Sequence, residues 1–520
     1  MKELQFEELT TQQKLGMTFT ALLHRAYRPD YEWVYDMIRQ RSLGAVWIQA
    51  GVENSKEYIA KVREIADYPI LIITDAESGI GGFYVGSHNA VGCTGSEKHA
   101  YAFGKTIGVT ARQMGYSVVC NPVVDMINGS PRSLGTNKEQ VASLAAAIAR
   151  GMHDGGVLTV GKHYPGGTGD SGIDSHMMES VCSNSKEELL EYSLYPYLKL
   201  DEESLLDGIM ISHKKYINID PNRPGTLSKP VVDIIREQNY DGFIITDALS
   251  MMGIRANYDD VTSKGLAMGA GVDLLLPYEW NNPEQFGQYV QAYEKGMVPE
   301  DMLDRAVKRV LKAQHNSMLL PKDAVLTEEE IQTFRSINKD GVYTRTDEGL
   351  DHTISRDGKH YFAIVVNQET DIGADGKVAV DTFSGGWCFP TRITQKIETL
   401  FPNSCVQIIH QFPTPKEVQD VLNKSIGYED VVFMTFAQPM AYTGPAHLTR
   451  RIISLITALQ ATKRISTVVH VGTPRVLEEL PHIPRFILGG LSSEGVDACF
   501  DVLAGEYPAN GTPTFEFHLQ

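Results

Sequence analysis

Val157-Leu158-Thr159-Val160-Gly161-Lys162-His163 is an apolar run that closes on a lysine and a histidine. Its first five residues carry no charge, which suits a strand buried on both faces, as in a parallel sheet. Runs of the same form occur at Gly44–Gln49, Pro69–Asp75, Tyr116–Asp125, Ile209–His213, Gly242–Asp247 and Val272–Pro277. Stretches of helical period separate them, among them Lys138–His153 and Ser185–Leu200. Ser185 stands three residues before Glu188, the spacing of a capping box. Repeated strand-then-helix alternation, with an eighth strand expected at Leu15–Leu23, predicts an α/β fold. Its first part, residues 1–321, is expected to be an N-terminal (β/α)8 TIM-like barrel.

Residues 322–358 are charged and read as a linker, with one helix expected at Thr327–Ile337. β-rich runs return at Tyr361–Asn367, Cys405–His410, Asp430–Phe436, Ile465–Gly472 and Pro484–Gly489. They alternate with helical stretches such as Leu448–Ala461. Residues 359–520 are therefore expected to form a second α/β domain on an open sheet.

Composition sets outer limits. The chain has 520 residues, 42% hydrophobic and 22% charged, which excludes a disordered or fibrous class. Lys plus Arg is 47 and Asp plus Glu is 65, a net charge of −18, and no basic run exceeds two residues. That balance argues against nucleic acid as a partner. No apolar stretch is long enough to span a bilayer, and acids occupy the start where a secretory signal would be apolar. Six sparse cysteines without close spacing read as reduced thiols. Together these features predict a cytoplasmic protein that is independent of membranes. The sequence leaves a homodimer open.

The ends of the apolar runs carry the chemistry. Asp75, Asp125, Lys162 with His163, His213 and Asp247 each close a run at its C-terminal end. In a barrel of this kind that end bears the active site, because the βα loops share one mouth. One acid at a strand end means little, since it can cap the next helix. Several strands ending in Asp, Lys or His point to one pocket. The segment from Lys162 to His176 is rich in glycine and ends in Asp174-Ser175-His176. Asp174 and His176, two apart, face the same side of an extended strand. An Asp beside a His orients the ring and favours its charged form, as general acid–base work requires.

Two look-alikes fall away. Gly156 to Lys162 has the spacing of a phosphate loop, but His163 stands where Ser or Thr is needed and the intervening residues read as a strand. The histidines show no zinc-ligand spacing, so neither a metal nor an organic cofactor is expected.

With these residues in view, the sequence resembles glycoside hydrolase family 3, and within it the β-N-acetylglucosaminidase branch. The matching segments run in family order: Asp75–Gly79, Asn121–Asp125, Arg132–Gly135, Lys162–Gly166, Asp174–His176, Ile209–His213, Gly225–Ser228 and Gly242–Met251. Val468–Pro474 and Gly495–Pro513 resemble the family's C-terminal α/β sandwich domain. The family's Arg after the first acid is absent from Gly79–Phe83. Gly167-Thr168 replaces a His, and Ala248 stands where an Asp is common.

The resemblance implies an exo-acting, retaining enzyme on a small carbohydrate substrate. Asp247 would be the nucleophile. His176, held by Asp174, would be the acid/base. Asp75, Arg132, Lys162, His163 and His213 would hold the sugar. The expected substrate is a terminal β-linked N-acetylglucosamine, including imported cell-wall fragments. A glycoside phosphorylase, a β-glucosidase or β-xylosidase, and an inactive sugar-binding protein remain open on the same residues.

Overall fold

In the computed structural model, residues 2–24, 31–51, 54–167, 175–366, 368–372, 378–382, 390–437 and 446–516 are described. They form two compact units, each discontinuous in sequence. The first holds residues 1–84, 97–127 and 137–334, and the second holds 85–96, 128–136 and 335–520.

The first unit is built on seven parallel strands: β1 (Thr20–Leu22), β2 (Ala45–Trp47), β3 (Leu71–Asp75), β4 (Val118–Cys120), β5 (Leu158–Tyr164), β6 (Gly208–Ile211) and β7 (Phe243–Thr246). They lie side by side in chain order. The sheet curls until its two edges are joined by single bridges, Ile245 to Leu274 and Phe19 to Leu275. The Thr246 amide donates to Leu274 O at 3.0 Å, and the Thr20 amide donates to Leu275 O at 2.9 Å. The run Val272–Pro277, expected as a strand, thus contributes bridges only. Pro277 has no amide proton to extend a ladder.

Side chains alternate along each strand. Ala45, Trp47, Leu71, Ile73, Val118, Cys120, Leu158, Val160, Phe243 and Ile245 point to one buried cluster inside the curl. Helices cover the outside. Glu97–Met114 and Lys138–Gly155 pack so closely that a Cβ on Gly104 would meet Ile148 O at 2.0 Å. Only glycine permits that approach.

Ser185 and Glu188 form the expected capping box, with the Ser185 amide donating to the Glu188 carboxylate at 2.8 Å. The single helix expected over Ser185–Leu200 is divided. A π turn, Leu189–Ser193, follows the first turn, and a new helix starts at Tyr195 with Pro196 near its beginning. Proline lacks the N–H that would continue the ladder backward and suits a helix start.

The second unit has a six-stranded sheet. Its strands are β8 (Tyr343–Thr346), β9 (His360–Val366), β10 (Cys405–His410), β11 (Asp430–Ala437), β12 (Ile465–Gly472) and β13 (Arg485–Gly489). The order is β8-β13-β12-β11-β9-β10, parallel except for β8. Residues Phe362, Ile364 and Val432 bury one face, and Tyr361, Ala363 and Val431 bury the other. The segment read as a linker holds β8 and the helix Glu328–Asp340, capped by Thr327 and Glu330.

Five cysteines are free thiols, four of them buried, and Cys388 lies outside the described residues. Among the described residues no helix is long and apolar enough to cross a membrane.

Candidate active site

The strand period delivers the site. Two residues beyond the inward-facing Ile73, Val160 and Ile245 come Asp75, Lys162 and Asp247, so all three emerge at the same end of the curled sheet. Lys162 is buried. Its Nζ lies 2.6 Å from Asp75 Oδ1 and 2.6 Å from Glu77 Oε1. A buried ammonium costs several kcal/mol unless it is paired, and these two carboxylates supply the pairing. Asn121 Nδ2 donates to Ala76 O at 2.9 Å and fixes the turn between the two acids.

His163 follows on β5 and is held by Asp125, at the end of the run that contains β4. The His163 amide donates to Asp125 Oδ2 at 3.2 Å, and Nδ1 lies 2.7 Å from the same oxygen. A carboxylate accepts, so Nδ1 carries the proton.

Asp247 is anchored by its own backbone. Its amide donates to Ile211 O at 3.1 Å, and its Oδ1 accepts from the Ala248 amide at 2.8 Å. Burial opposes its charge. His163, His213, the Ala248 amide and Lys162 outweigh that cost and hold the carboxyl below the usual aspartate range. Asp247 is therefore a carboxylate at neutral pH.

His213 is buried against the same turn. Its Nε2 lies 2.9 Å from Ala248 O and its Nδ1 lies 2.7 Å from Thr226 Oγ1. A carbonyl can only accept, which assigns the proton to Nε2. Burial pushes the ring's pKa down, only partly offset by Asp247 and the Ala248 carbonyl. The ring is neutral at pH 7, and the Thr226 hydroxyl beside Nδ1 also lies 2.8 Å from the Ser212 carbonyl. What His213 lends Asp247 is then a dipole, and the permanent cation is Lys162.

His176 stands on the loop after β5. Its carbonyl accepts from the Met252 amide at 3.1 Å, and the Ser175 carbonyl accepts from the Gly253 amide at 3.3 Å. A Cβ on Gly253 would meet Ser175 O at 3.3 Å and His213 Cβ at 3.4 Å. The His176 backbone is thus fixed beside the turn that follows Asp247, and its ring acts electrostatically on His213.

Of the residues singled out from sequence, Asp75, Lys162, His163, His176, His213 and Asp247 all belong to the first unit. Asp174 lies outside the described residues. Arg132 belongs to the second unit, within residues 128–136, and is not among the strand-end groups. Asp125 was read as a strand-end group without an assigned role, and Glu77 and Thr226 are partners that the sequence reading did not single out. Each had a signal: Glu77 is the second acid of Asp75-Ala76-Glu77, Asp125 ends an apolar run, and Thr226 sits in a matching segment.

The glycine–lysine spacing of Gly156 to Lys162 is occupied by β5, a strand and not a loop. Among the described residues no group of three or more His, Cys, Asp or Glu side chains could hold a metal ion. The assembled groups offer the Asp247 carboxylate, a buried lysine paired with two further carboxylates, and three imidazoles. That set suits displacement at an electrophilic carbon with proton transfer by a histidine.

The model of the "Glycosyl hydrolase family 3 N terminal domain" matches residues 23–313. A beta-hexosaminidase of Idiomarina loihiensis is 29% identical over 301 residues, 55% of this chain and 87% of that one. A beta-hexosaminidase of Haemophilus influenzae is 31% identical over 240 residues, 43% of this chain and 68% of that one. Among solved structures, a glycoside hydrolase family 3 beta-N-acetylglucosaminidase from Paenibacillus sp. str. FPU-7 superposes with TM-score 0.77 at 24% identity, covering 98% of this chain and 99% of that one. The beta-glucoside phosphorylase BglX superposes with TM-score 0.78 at 19% identity, covering 98% and 94%. At these identities the structural likeness shows the fold alone.

Proposed function

The chain belongs to glycosyl hydrolase family 3, and from that premise we propose that it removes a terminal β-linked N-acetylhexosamine, N-acetylglucosamine first among them, with retention of configuration. The curled sheet of the first unit is read as the (β/α)8 barrel that carries the chemistry. The observation that carries the proposal is the Asp247 carboxyl just past β7, 2.8 Å from the Ala248 amide, with the His176 backbone bonded to the turn beside it.

In this reading the Asp247 carboxylate attacks the anomeric carbon. The bond from carbon to the leaving oxygen breaks, and His176 gives that oxygen its proton. Asp174 keeps the ring oriented for both transfers. In the second half, His176 takes a proton from water, and the oxygen of that water displaces Asp247 with a second inversion. Lys162, Asp75, His163 and His213 hold sugar hydroxyls or the acyl group, and such bonds count for rate where they tighten in the oxocarbenium-like transition state. Arg132 is proposed as a further sugar ligand on its matching segment alone.

The hexosaminidase names of the relatives and the Asp-x-His signature support the choice of sugar. Free, sparse thiols support a reducing, cytoplasmic site of action. A second reading uses phosphate in place of water. A neutral histidine repels phosphate less than a carboxylate acid/base would.

The test is a screen of 4-nitrophenyl β-glycosides with and without inorganic phosphate. Preference for the N-acetylglucosaminide with no phosphate dependence supports hydrolysis. A glucoside or xyloside favoured tenfold, about 1.4 kcal/mol in the transition state, overturns the choice of sugar. A strict need for phosphate, with a glycosyl phosphate as product, moves the chain to the second reading.

A further inference from the structure

We propose that the leaving-group side of the site takes an apolar aglycone, an aryl or alkyl group, seated on Met177, Met178, Met252 and Trp280. The inference rests on His176 as the acid/base. A leaving oxygen must come within hydrogen-bond reach of that ring, about 2.6–3.2 Å. The aglycone atoms attached to it then lie against the neighbours of His176.

Those neighbours are apolar and exposed. Met177 is 47% exposed and Met178 is 52% exposed. Met252, 41% exposed, donates its amide to the His176 carbonyl at 3.1 Å. A Cβ on Gly253 would stand 3.7 Å from Met178 O, so the two loops run together. The short helix Met252–Arg255 is tied onward by Arg255, whose Nη1 lies 2.7 Å from Glu279 Oε1. The next residue, Trp280, is 50% exposed. Met177 and Met178 thus follow His176 in the chain, Met252 is bonded to it through the backbone, and Trp280 is reached through the Arg255–Glu279 pair.

A single exposed apolar side chain needs no explanation. A linked set beside a candidate site marks a binding surface. Thioethers are unbranched and polarisable, so they adapt to varied apolar shapes, and the indole offers a flat face. A leaving group rich in hydroxyls would need strong donors and acceptors. Among the described residues, Glu179 pairs with Lys215 at 2.8 Å and Arg255 with Glu279 at 2.7 Å.

The test uses the full chain and β-glycosides of its preferred sugar with methyl, butyl, hexyl and octyl aglycones, plus a disaccharide. Simple alcohols demand nearly the same protonation, so chain length reports contact and not acid catalysis. The expected result is a rise in kcat/KM of at least tenfold from butyl to octyl, given that one fully buried methylene is worth about fourfold. The pair Met178→Ser with Met252→Ser should lose that rise, read as the ratio of octyl to methyl glycoside kcat/KM within the same variant. Trp280→Ala, tested separately, should at least halve the rise on its own. A flat chain-length dependence in the unmodified protein overturns the inference. So does a rise that survives both variants, or a tenfold preference for the disaccharide over the octyl glycoside. Absence of turnover on every glycoside, activated 4-nitrophenyl compounds included, overturns the glycosidase reading itself.

Discussion

Lys162 Nζ lies 2.6 Å from Asp75 Oδ1, which ties the end of β5 to the end of β3. Replacing the lysine by methionine keeps its length and removes its charge. Asp75 and Glu77 would then face each other with no cation between them. We expect kcat/KM to fall by about 100-fold or more, ~2.7 kcal/mol, with the circular dichroism spectrum of the folded protein retained. A variant within threefold of the parent would show that the pair only braces the fold.

Asp247 is held below the usual aspartate range because His163, His213, the Ala248 amide and Lys162 together outweigh the cost of burying it. A carboxyl with a lowered pKa stays ionised until the pH falls through that lowered value. The acid limb of kcat/KM should therefore not report Asp247 anywhere between pH 5 and 8. Asp247→Asn should abolish turnover across that whole window. If the asparagine variant recovers activity at any pH in it, another residue is the nucleophile.

His176 as proton donor predicts a dependence on the leaving group. His176→Ala should slow alkyl glycosides at least 100-fold and 4-nitrophenyl glycosides much less, since only the former need a proton on the departing oxygen. Asp174→Ala should show the same pattern more mildly, because the ring is still present. Equal losses for both classes of substrate would remove His176 from that role.

The second unit contains its own titration. His360 is buried at the start of β9, with Nε2 2.5 Å from Ser355 O and Nδ1 3.2 Å from Asp430 Oδ2. Burial works against its charge, but Asp430 and the Ser355 carbonyl outweigh it, and the pKa is raised above 6.5. A raised histidine stabilises the fold fully below its unfolded pKa, and that contribution is lost as pH climbs through the folded value. Thermal scans from pH 6 upward should show Tm falling over that range, with the fall reduced in His360→Gln. An identical pH slope in the variant would assign the fall elsewhere.

Much of this was legible in the residues. Pro69–Asp75 and Gly242–Asp247 are continuous apolar runs, and such runs can only be strands buried on both faces or short buried helices. Because strand side chains alternate, the same runs placed Asp75, Lys162 and Asp247 at one end of the sheet. In the second unit, Cys405–His410 and Ile465–Gly472 were read to the residue.

What escaped the sequence did so for local reasons. Tyr343–Thr346 is a four-residue edge strand in which Thr344, Arg345 and Thr346 are all polar, so no apolar run announces it. Val272–Pro277 looks like a strand and makes only single bridges. The break at Leu189–Ser193 interrupts a sequence with helical period throughout. Arg132 illustrates a different limit. A linear reading groups it with Asp125 and Lys162, whereas residues 128–136 gather with the second unit. Glu77 was visible as a residue, but its partner Lys162 is 85 positions away, and only the fold joins them.

The central claim is a covalent intermediate on Asp247. It is tested most directly by incubating the protein with a 5-fluoro N-acetylglucosaminyl fluoride, which forms that intermediate faster than water removes it, and locating the adduct by peptide mass spectrometry. The account predicts a single glycosyl ester on Asp247, in the peptide that follows Gly242–Thr246, and no adduct in Asp247→Asn. A label on another carboxylate, such as Asp75 or Glu77, or no label with product of inverted anomeric configuration, would contradict it.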